Sequence, residues 1–467
     1  MTTMKLDMTK GNILPLIITF AVPLFFSNLF QQFYNIADTA IVGHTLGDHA
    51  LSAVGAVSSI YGLVTSLCFG MSNGFSILIS KYYGARDDKR LKQAVAGNYL
   101  LSMLFTVVLT VVGFAVLRPF LRVLNTPAEI MDDAYTYISI IIVGLAAMVL
   151  YNMQASILRA LGNSKTPLIF LIISSLLNIG LDFFMILILK MGIAGAALAT
   201  VVSQLVSGVM CVIYSQKKQL IPKLNRKDFH LPAAMVKELL ASGSAMSLMF
   251  AVVNLGTVIL QSGINGLGTT TIAAHTAARK ISEMYMMVGS TLAATMSTFA
   301  SQNYGAKKMD RVWEGVKKTH YLGFAWATIA LVFTYVFAST IIRLLTGSGN
   351  AEVIATGARY LKINLPFYYP LMVLVILRNT LQGIGDRIMP LVASMVELLG
   401  KIVAVKFFIA PLGYTAVCFC EPVTWILCCF PVVTAFFGKK EIRSTLHIGS
   451  AYTENKERIG RRIHARV

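Results

Sequence analysis

The sequence predicts an all-α polytopic membrane protein, with twelve transmembrane helices arranged as two parallel-repeat six-helix bundles around a central cleft. Three observations predict it: an apolar composition, basic charges that alternate between connections, and an internal repeat. Of 467 residues, 56% are hydrophobic and only 13% charged, about half the roughly 25% charged share of soluble domains. The mean hydropathy of +0.69 comes from many separate apolar runs rather than one anchor, which excludes a soluble enzyme, a disordered chain and a single-anchor protein. A net charge of +19 would suggest nucleic-acid binding in a soluble protein; here membrane topology accounts for it, and no nucleic acid is expected as a partner. The six cysteines all fall inside apolar runs, without zinc spacing or the loop context of disulfides, so they read as small core residues and no metal site is expected.

A helix needs about 20 apolar residues to cross the hydrocarbon core of a bilayer. Runs of that kind predict spans at 14–37, 50–80, 93–117, 134–158, 167–189 and 194–215, then at 238–262, 271–299, 319–342, 358–379, 388–410 and 415–437. The first run follows Lys5 and Lys10 but is too long for a signal-peptide core and lacks a small-residue cleavage site, so it reads as a permanent span.

Lys and Arg favour every second connection, which tests the span count independently of hydropathy. The rich connections are the amino-terminal segment, 81–92, Arg159 with Lys165, 217–237, 307–318, Arg378 with Arg387, and the carboxy-terminal tail. Both termini are therefore expected in the cytoplasm. The chain divides into a first lobe at 1–215, a polar linker at 216–237, a second lobe at 238–437 and a basic tail at 438–467, whose Arg458, Arg461, Arg462 and Arg466 read as solvated topology charges.

One ungapped offset places Tyr83, Gly84 and Ala85 on Tyr304, Gly305 and Ala306, and Leu46 and Gly47 on Leu267 and Gly268. An offset two residues longer places Gly162 and Pro167 on Gly385 and Pro390. Six spans separate equivalent positions, an even number, so the halves share one orientation and are related by an axis along the membrane normal.

Several residues also carry a family resemblance. Pro23 in the first helix, the run DTAIVGHTLG ending an acidic face (Asp38–Gly47), the paired loops YYGARDDKRL and NYGAKKMDRV, and ILRALGNSKTP (Ile157–Pro167) resemble the multidrug and toxic compound extrusion (MATE) family, of the prokaryotic drug-exporter type, over nearly the whole chain. The resemblance implies a secondary antiporter in a bacterial plasma (inner) membrane. Such a protein expels amphipathic, often cationic compounds in exchange for H+ or Na+, with two lobes facing a central cavity. No enzyme activity and no cofactor beyond the coupling ion are expected, and the protein is expected to act as a monomer. The absence of a G-x-x-x-x-G-K-[ST] run points the same way, to an ion gradient rather than ATP.

An ionisable residue within a span costs on the order of 3 kcal/mol even on a lenient scale, so each needs a reason. Glu283 lies four residues from Arg279 and three from Lys280, and Glu397 lies four before Lys401, spacings that suit helix ion pairs. These five are second-lobe charges with a structural reading first and a gating or substrate reading second. Asp38 and Asp182 have no such local partner. Asn28, Gln31, Asn35 and Asp38 form a polar stripe on one face of the first helix, Ser174, Asn178 and Asp182 recur every four residues in the fifth, and Thr200 and Gln204 do so in the sixth. Lipid rejects such faces, so they should turn inward. Oxygen donors there can coordinate a cation, while a carboxylate kept from water can instead hold a proton.

The repeat supplies a control. Its offsets carry Asp38 to Ile259, Asn178 to Lys401 and Asp182 to Val405. A residue required only by the bundle should recur, and these acids do not, which favours function. By resemblance, Asp38, Asn178, Asp182 and Thr200 fall where drug-exporter members place their first-lobe cation site, whereas acids that some members carry in the seventh and tenth helices have no counterpart at matching depth here. Pro23 removes a backbone hydrogen bond and predicts a kink in the first helix. Tyr34, Tyr151, Met153, Met284, Met286 and Met287 are candidate cavity residues, since aromatic faces attract cations and Met adapts to varied shapes.

Two competing readings remain. A flippase of lipid-linked saccharides would line its cavity with basic residues, for which Arg279, Lys280, Lys401 and Lys406 are the intramembrane candidates. An intramembrane lipid-modifying enzyme would want D-D-x-x-D or H-x-x-x-x-D runs, and neither is present.

Overall fold

The computed structural model describes residues 6–123, 126–347 and 349–445; Lys5 and the four tail arginines lie outside them. Helices are α1 (Ile13–Ala85), α2 (Asp88–Val123), α3 (Met131–Val143), α4 (Leu145–Ala160), α5 (Lys165–Phe183), α6 (Gly192–Lys217) and α7 (Ala233–Asn265). Then come α8 (Thr269–Gly305), α9 (Met309–Thr346), α10 (Ala351–Asn364), α11 (Tyr368–Gly383), α12 (Ile388–Val403), α13 (Ile409–Leu412) and α14 (Tyr414–Gly438). There is no strand among the described residues.

These elements make the twelve crossings. At 73 residues, a straight α1 would run about 110 Å, far beyond a bilayer. It is two helices joined at Gly47, where φ is +80°, a conformation that glycine adopts without a Cβ penalty. Its ends come together, with Arg86 Nη2 3.4 Å from Asp7 Oδ2. Helices α3 and α4 form one span broken by 47°, α10 and α11 form another, and α12 continues into α13 through a π-helical turn at Ala404–Phe408. A matching π turn at Phe184–Ile188 follows α5 in the first half. Among the longest helices, α1, α2, α7, α8 and α9, helix α8 is the most polar, carrying Arg279, Lys280 and Glu283. Pro23 lies inside the continuous first arm of α1, with Ser27 Oγ donating to its carbonyl at 2.9 Å; Gly47 is the residue of α1 with non-helical dihedral angles.

The repeat is visible in the backbone. Left-handed residues recur at equivalent positions: Arg86 (φ 56°) and Lys307 (φ 57°), Gly47 and Gly268, Gly162 and Gly385. Where the repeated YGA motifs meet, Gly84 abuts the backbone of Gln302 and Gly305 abuts the backbone of Lys81, a reciprocal contact about the pseudo-twofold axis. Small residues are what allow helices to approach so closely.

Packing follows the same plan. One core joins Phe75, Ile79, Leu158, Phe170 and Cys211; another joins Met296, Phe299, Tyr368, Leu377 and Trp425, and takes in Ile17 and Phe20 from the start of α1. Outward faces stay apolar, with Met103, Val111, Val336 and Leu344 among the most exposed side chains. Such a surface has no place in water but matches lipid.

Candidate functional site

Two features occupy the interior: an acid pair inside the first bundle and a cavity between the bundles. The acids come from elements far apart in sequence. Asp38 lies on the arm of α1 before Gly47, and Asp182 lies two residues before the π turn that ends α5. Their carboxyl groups are within hydrogen-bond reach of each other. Asp182 is fully buried, and one buried oxygen of each acid, Oδ1, meets no donor. Asn178 Nδ2 donates to Asp182 Oδ2 at 3.1 Å, and Asn178 Oδ1 accepts from the Thr200 N–H at 3.2 Å, the amide orientation that its surroundings require. Tyr34 donates from its hydroxyl to Thr200 Oγ1 at 3.4 Å.

Two bare carboxylates at this separation repel, and a proton or cation held between them removes the repulsion. Tyr61 and Tyr137 lie within electrostatic range of Asp38. Neither is marked by the sequence, because a tyrosine within an apolar run reads as packing. Among the described residues no group of three or more His, Cys, Asp or Glu is placed to hold a metal ion.

The cavity encloses about 510 Å³ between α1, α4, α7, α8 and α11, within the range of small-molecule sites. Asn28 and Gln31 line it, and Asn28 Nδ2 donates across the cleft to Thr291 Oγ1 at 3.1 Å. Met286 and Met287 also line it.

Other candidates are placed elsewhere. Met284 is 60% exposed and off the cavity wall. Tyr151 and Met153 are buried in the first-bundle core, with the Tyr151 hydroxyl donating to the Pro167 carbonyl at 3.0 Å. Asn35 is exposed and accepts from Gln31 Nε2 at 3.5 Å, and Gln204 is half-buried outside the cavity lining. The physical reason is rotation about the helix axis, which composition does not set.

The charges of the second half form two clusters. Arg279 pairs with Glu421 and, at 3.5 Å, with Glu283, which Lys280 also approaches to 3.6 Å; Tyr360 donates to the other Glu421 oxygen at 2.9 Å. Lys401 Nζ donates to Glu397 Oε1 at 2.8 Å, and Arg378 lies 4.0 Å from the same carboxylate. Arg159 and Arg378, which the sequence assigned to cytoplasmic connections, both line the cavity. The basic residues facing it are therefore Arg159, Arg279 and Arg378; of the four intramembrane candidates Arg279 alone is among them, and Lys280, Lys401 and Lys406 are not in the lining.

At the end of the cavity nearest the amino-terminal segment the bundles are tied together. Ser301 Oγ donates to the Ile77 carbonyl at 2.7 Å, Gln302 Nε2 to the Ala160 carbonyl at 2.9 Å, and Lys81 Nζ to Glu238 Oε1 at 3.0 Å.

Two repeated six-helix bundles enclosing a cavity, all with lipid-compatible outer faces, define a polytopic α-helical membrane transporter. The chain belongs to the MatE family, whose model matches residues 23–184 and again 245–405. The probable multidrug resistance protein YoeA of Bacillus subtilis (strain 168) is 29% identical over 398 residues, 84% of this chain and 86% of YoeA. The probable multidrug resistance protein YpnP of the same organism is 27% identical over 393 residues, 84% of this chain and 87% of YpnP. Among solved structures, a crystal structure of MATE in complex with MaL6 superposes with a TM-score of 0.86 at 22% identity, covering 96% of this chain and all of that one. That likeness concerns the fold.

Proposed function

We propose that this protein is a secondary antiporter of a bacterial plasma membrane that exports small amphipathic molecules in exchange for H+ or Na+, the ion being taken up at the Asp38–Asp182 pair with Asn178 and Thr200 as neighbours. The observation that carries this reading is the pair itself: two carboxyl groups from distant helices, within hydrogen-bond reach, each with a buried oxygen that has no donor. Neutralisation by an ion would change the balance of forces on the arm of α1 that also carries Pro23 and forms one wall of the cavity. Ion and cargo sites thereby share one element.

In this reading the lobes at 1–215 and 238–437 are joined by the linker at 216–237, and both termini are cytoplasmic, as the loop charges imply. The tied end of the cavity is then the cytoplasmic gate. Relatives named as multidrug resistance proteins support export as the direction of transport, and one chain carries the whole pathway.

The test is dye movement in proteoliposomes with sodium and proton gradients imposed separately. One of the two gradients should drive transport in the parent protein. Asp38→Asn should reach the membrane and keep its fold but lose the gradient-driven component; full activity in that variant would refute the coupling role.

A further inference from the structure

We infer that the central cavity selects amphipathic anions, molecules with an apolar body and a carboxylate or phosphate, and that the guanidinium groups of Arg159 and Arg378 receive the acid. The inference names the cargo class for the exporter reading above and rests on that reading for its transport step.

The charged lining consists of Arg159, Arg279, Arg378 and Glu283. Glu283 is the acid that would attract a cationic drug, yet Arg279 and Lys280 already hold it at 3.5 Å and 3.6 Å. Arg279 is in turn balanced by the buried Glu421. The charges of that group are balanced, although Arg279 Nε is buried without a hydrogen bond. Among the described residues Arg378 has only Glu397, at 4.0 Å, and that carboxylate is engaged at 2.8 Å by Lys401. The Arg378 Nε is buried without a bond.

Arg159 stands further from compensation. No acid or hydrogen-bond acceptor meets its guanidinium among the described residues, and its Nε is also buried and unbonded. Arg159 is half-buried, and a charge that has lost part of its water favours a nearby counter-charge, of which the protein supplies too little here. A cationic ligand would add to the imbalance. An anion would relieve it through charge-assisted, two-pronged hydrogen bonds, the geometry in which guanidinium binds carboxylate and phosphate.

The remaining wall suits the rest of such a molecule. Phe69, Phe250, Met246, Met249 and Met372 present aromatic and thioether surface, which adapts to varied apolar bodies. The two arginines also come from different bundles, Arg159 from α4 and Arg378 from α11, so an acid held by both would bridge the halves that must move apart during transport.

Fluorescein and rhodamine 123 share a xanthene ring system and differ in charge, which makes them matched probes. In zwitterionic proteoliposomes the parent protein should move fluorescein about tenfold faster than rhodamine 123, and Arg159→Gln should abolish that preference, a change of the size expected for losing one charge-assisted contact. Arg159→Lys should retain most of it, and Arg378→Gln should weaken it independently. Fluorescence anisotropy of the purified protein reports binding apart from transport. If fluorescein binds in an Arg159-dependent way but no gradient moves it, the anion site stands and the exporter reading fails. If the parent protein prefers rhodamine 123, or binds fluorescein no better than Arg159→Gln does, the anion site is overturned. Leaflet exchange of a fluorescent phosphatidylglycerol that is faster than fluorescein transport and dependent on Arg159 would support the same acid receptor with a lipid headgroup as its occupant.

Discussion

Gly84 has no space for a side chain because the backbone of Gln302 occupies it, and through the repeat Gly305 stands in the same relation to Lys81. This reciprocal crossing gives a physical reason for the duplicated Tyr-Gly-Ala motif. Two helices meet near a pseudo-twofold axis, backbone against backbone, at the end where the bundles are tied.

A methyl group at either glycine would have to displace main chain, which costs roughly 1–3 kcal/mol in a packed interior. Gly84→Ala and Gly305→Ala should each shift the protein away from this closed arrangement. Faster hydrogen–deuterium exchange across residues 299–308 is the expected signature; unchanged exchange there would mean that the crossing does not close the gate.

Glu238 contributes to the same closure more weakly. It faces Lys81 at 3.0 Å and Arg387 at 3.5 Å, but its side chain is 30% exposed, and pairs of that kind are worth at most about 1 kcal/mol each and are screened by salt. Glu238→Gln should therefore raise exchange at the gate only a few-fold at low salt, by less than either glycine substitution. The difference from the parent should shrink as salt is added.

Lys401 presents the opposite case, since it is 2% exposed and held by Glu397 at 2.8 Å. Removing one partner of a buried pair leaves an uncompensated charge, at a cost of about 3–5 kcal/mol. Glu397→Gln should lower the melting temperature of the purified protein markedly. Combining Glu397→Leu with Lys401→Met should restore most of the loss, and a double variant no better than the single one would assign the stability to something other than the pair.

For the first-bundle acids the expected effect lies in coupling rather than stability. Coupling free energies between sites run to about 1–3 kcal/mol, or roughly 5- to 150-fold. Asp182→Asn should reduce gradient-driven efflux by about tenfold or more while equilibrium binding of cargo changes little. Asn178→Ala, which removes a donor to Asp182 but leaves both acids in place, should have a smaller effect. A parallel loss of cargo binding in both variants would make the pair part of the cargo site instead.

Much of the architecture was legible in the chain itself. All twelve spans reappear, although the first runs on to Gly47 rather than 37 and the ninth begins at Met309 rather than 319, and the repeat seen in Tyr83–Ala85 and Tyr304–Ala306 reappears in backbone dihedral angles at Arg86 and Lys307. The stripe from Asn28 to Asp38 was readable because polar residues at helical spacing cannot face lipid. Tyr61 and Tyr137 were not readable, since nothing local separates a tyrosine beside an acid from one packed in a core. The cavity role of the arginines was hidden for a related reason: Arg159 and Arg378 lie toward helix ends, where a cavity charge and a topology charge look alike.

The sequence by itself determined the number of crossings, their repeat and the acids with no counterpart in the second half, because hydropathy, spacing and chemical identity are properties of the chain taken a few turns at a time. Only the tertiary structure decided that Asp38 meets Asp182, that Tyr151 turns into a core and that Arg159 faces the cavity with no acid paired to it among the described residues. Those outcomes depend on how far each helix is rotated about its own axis, and rotation is set by contacts with helices distant in sequence, such as the one in which Gly84 yields its side-chain space to Gln302.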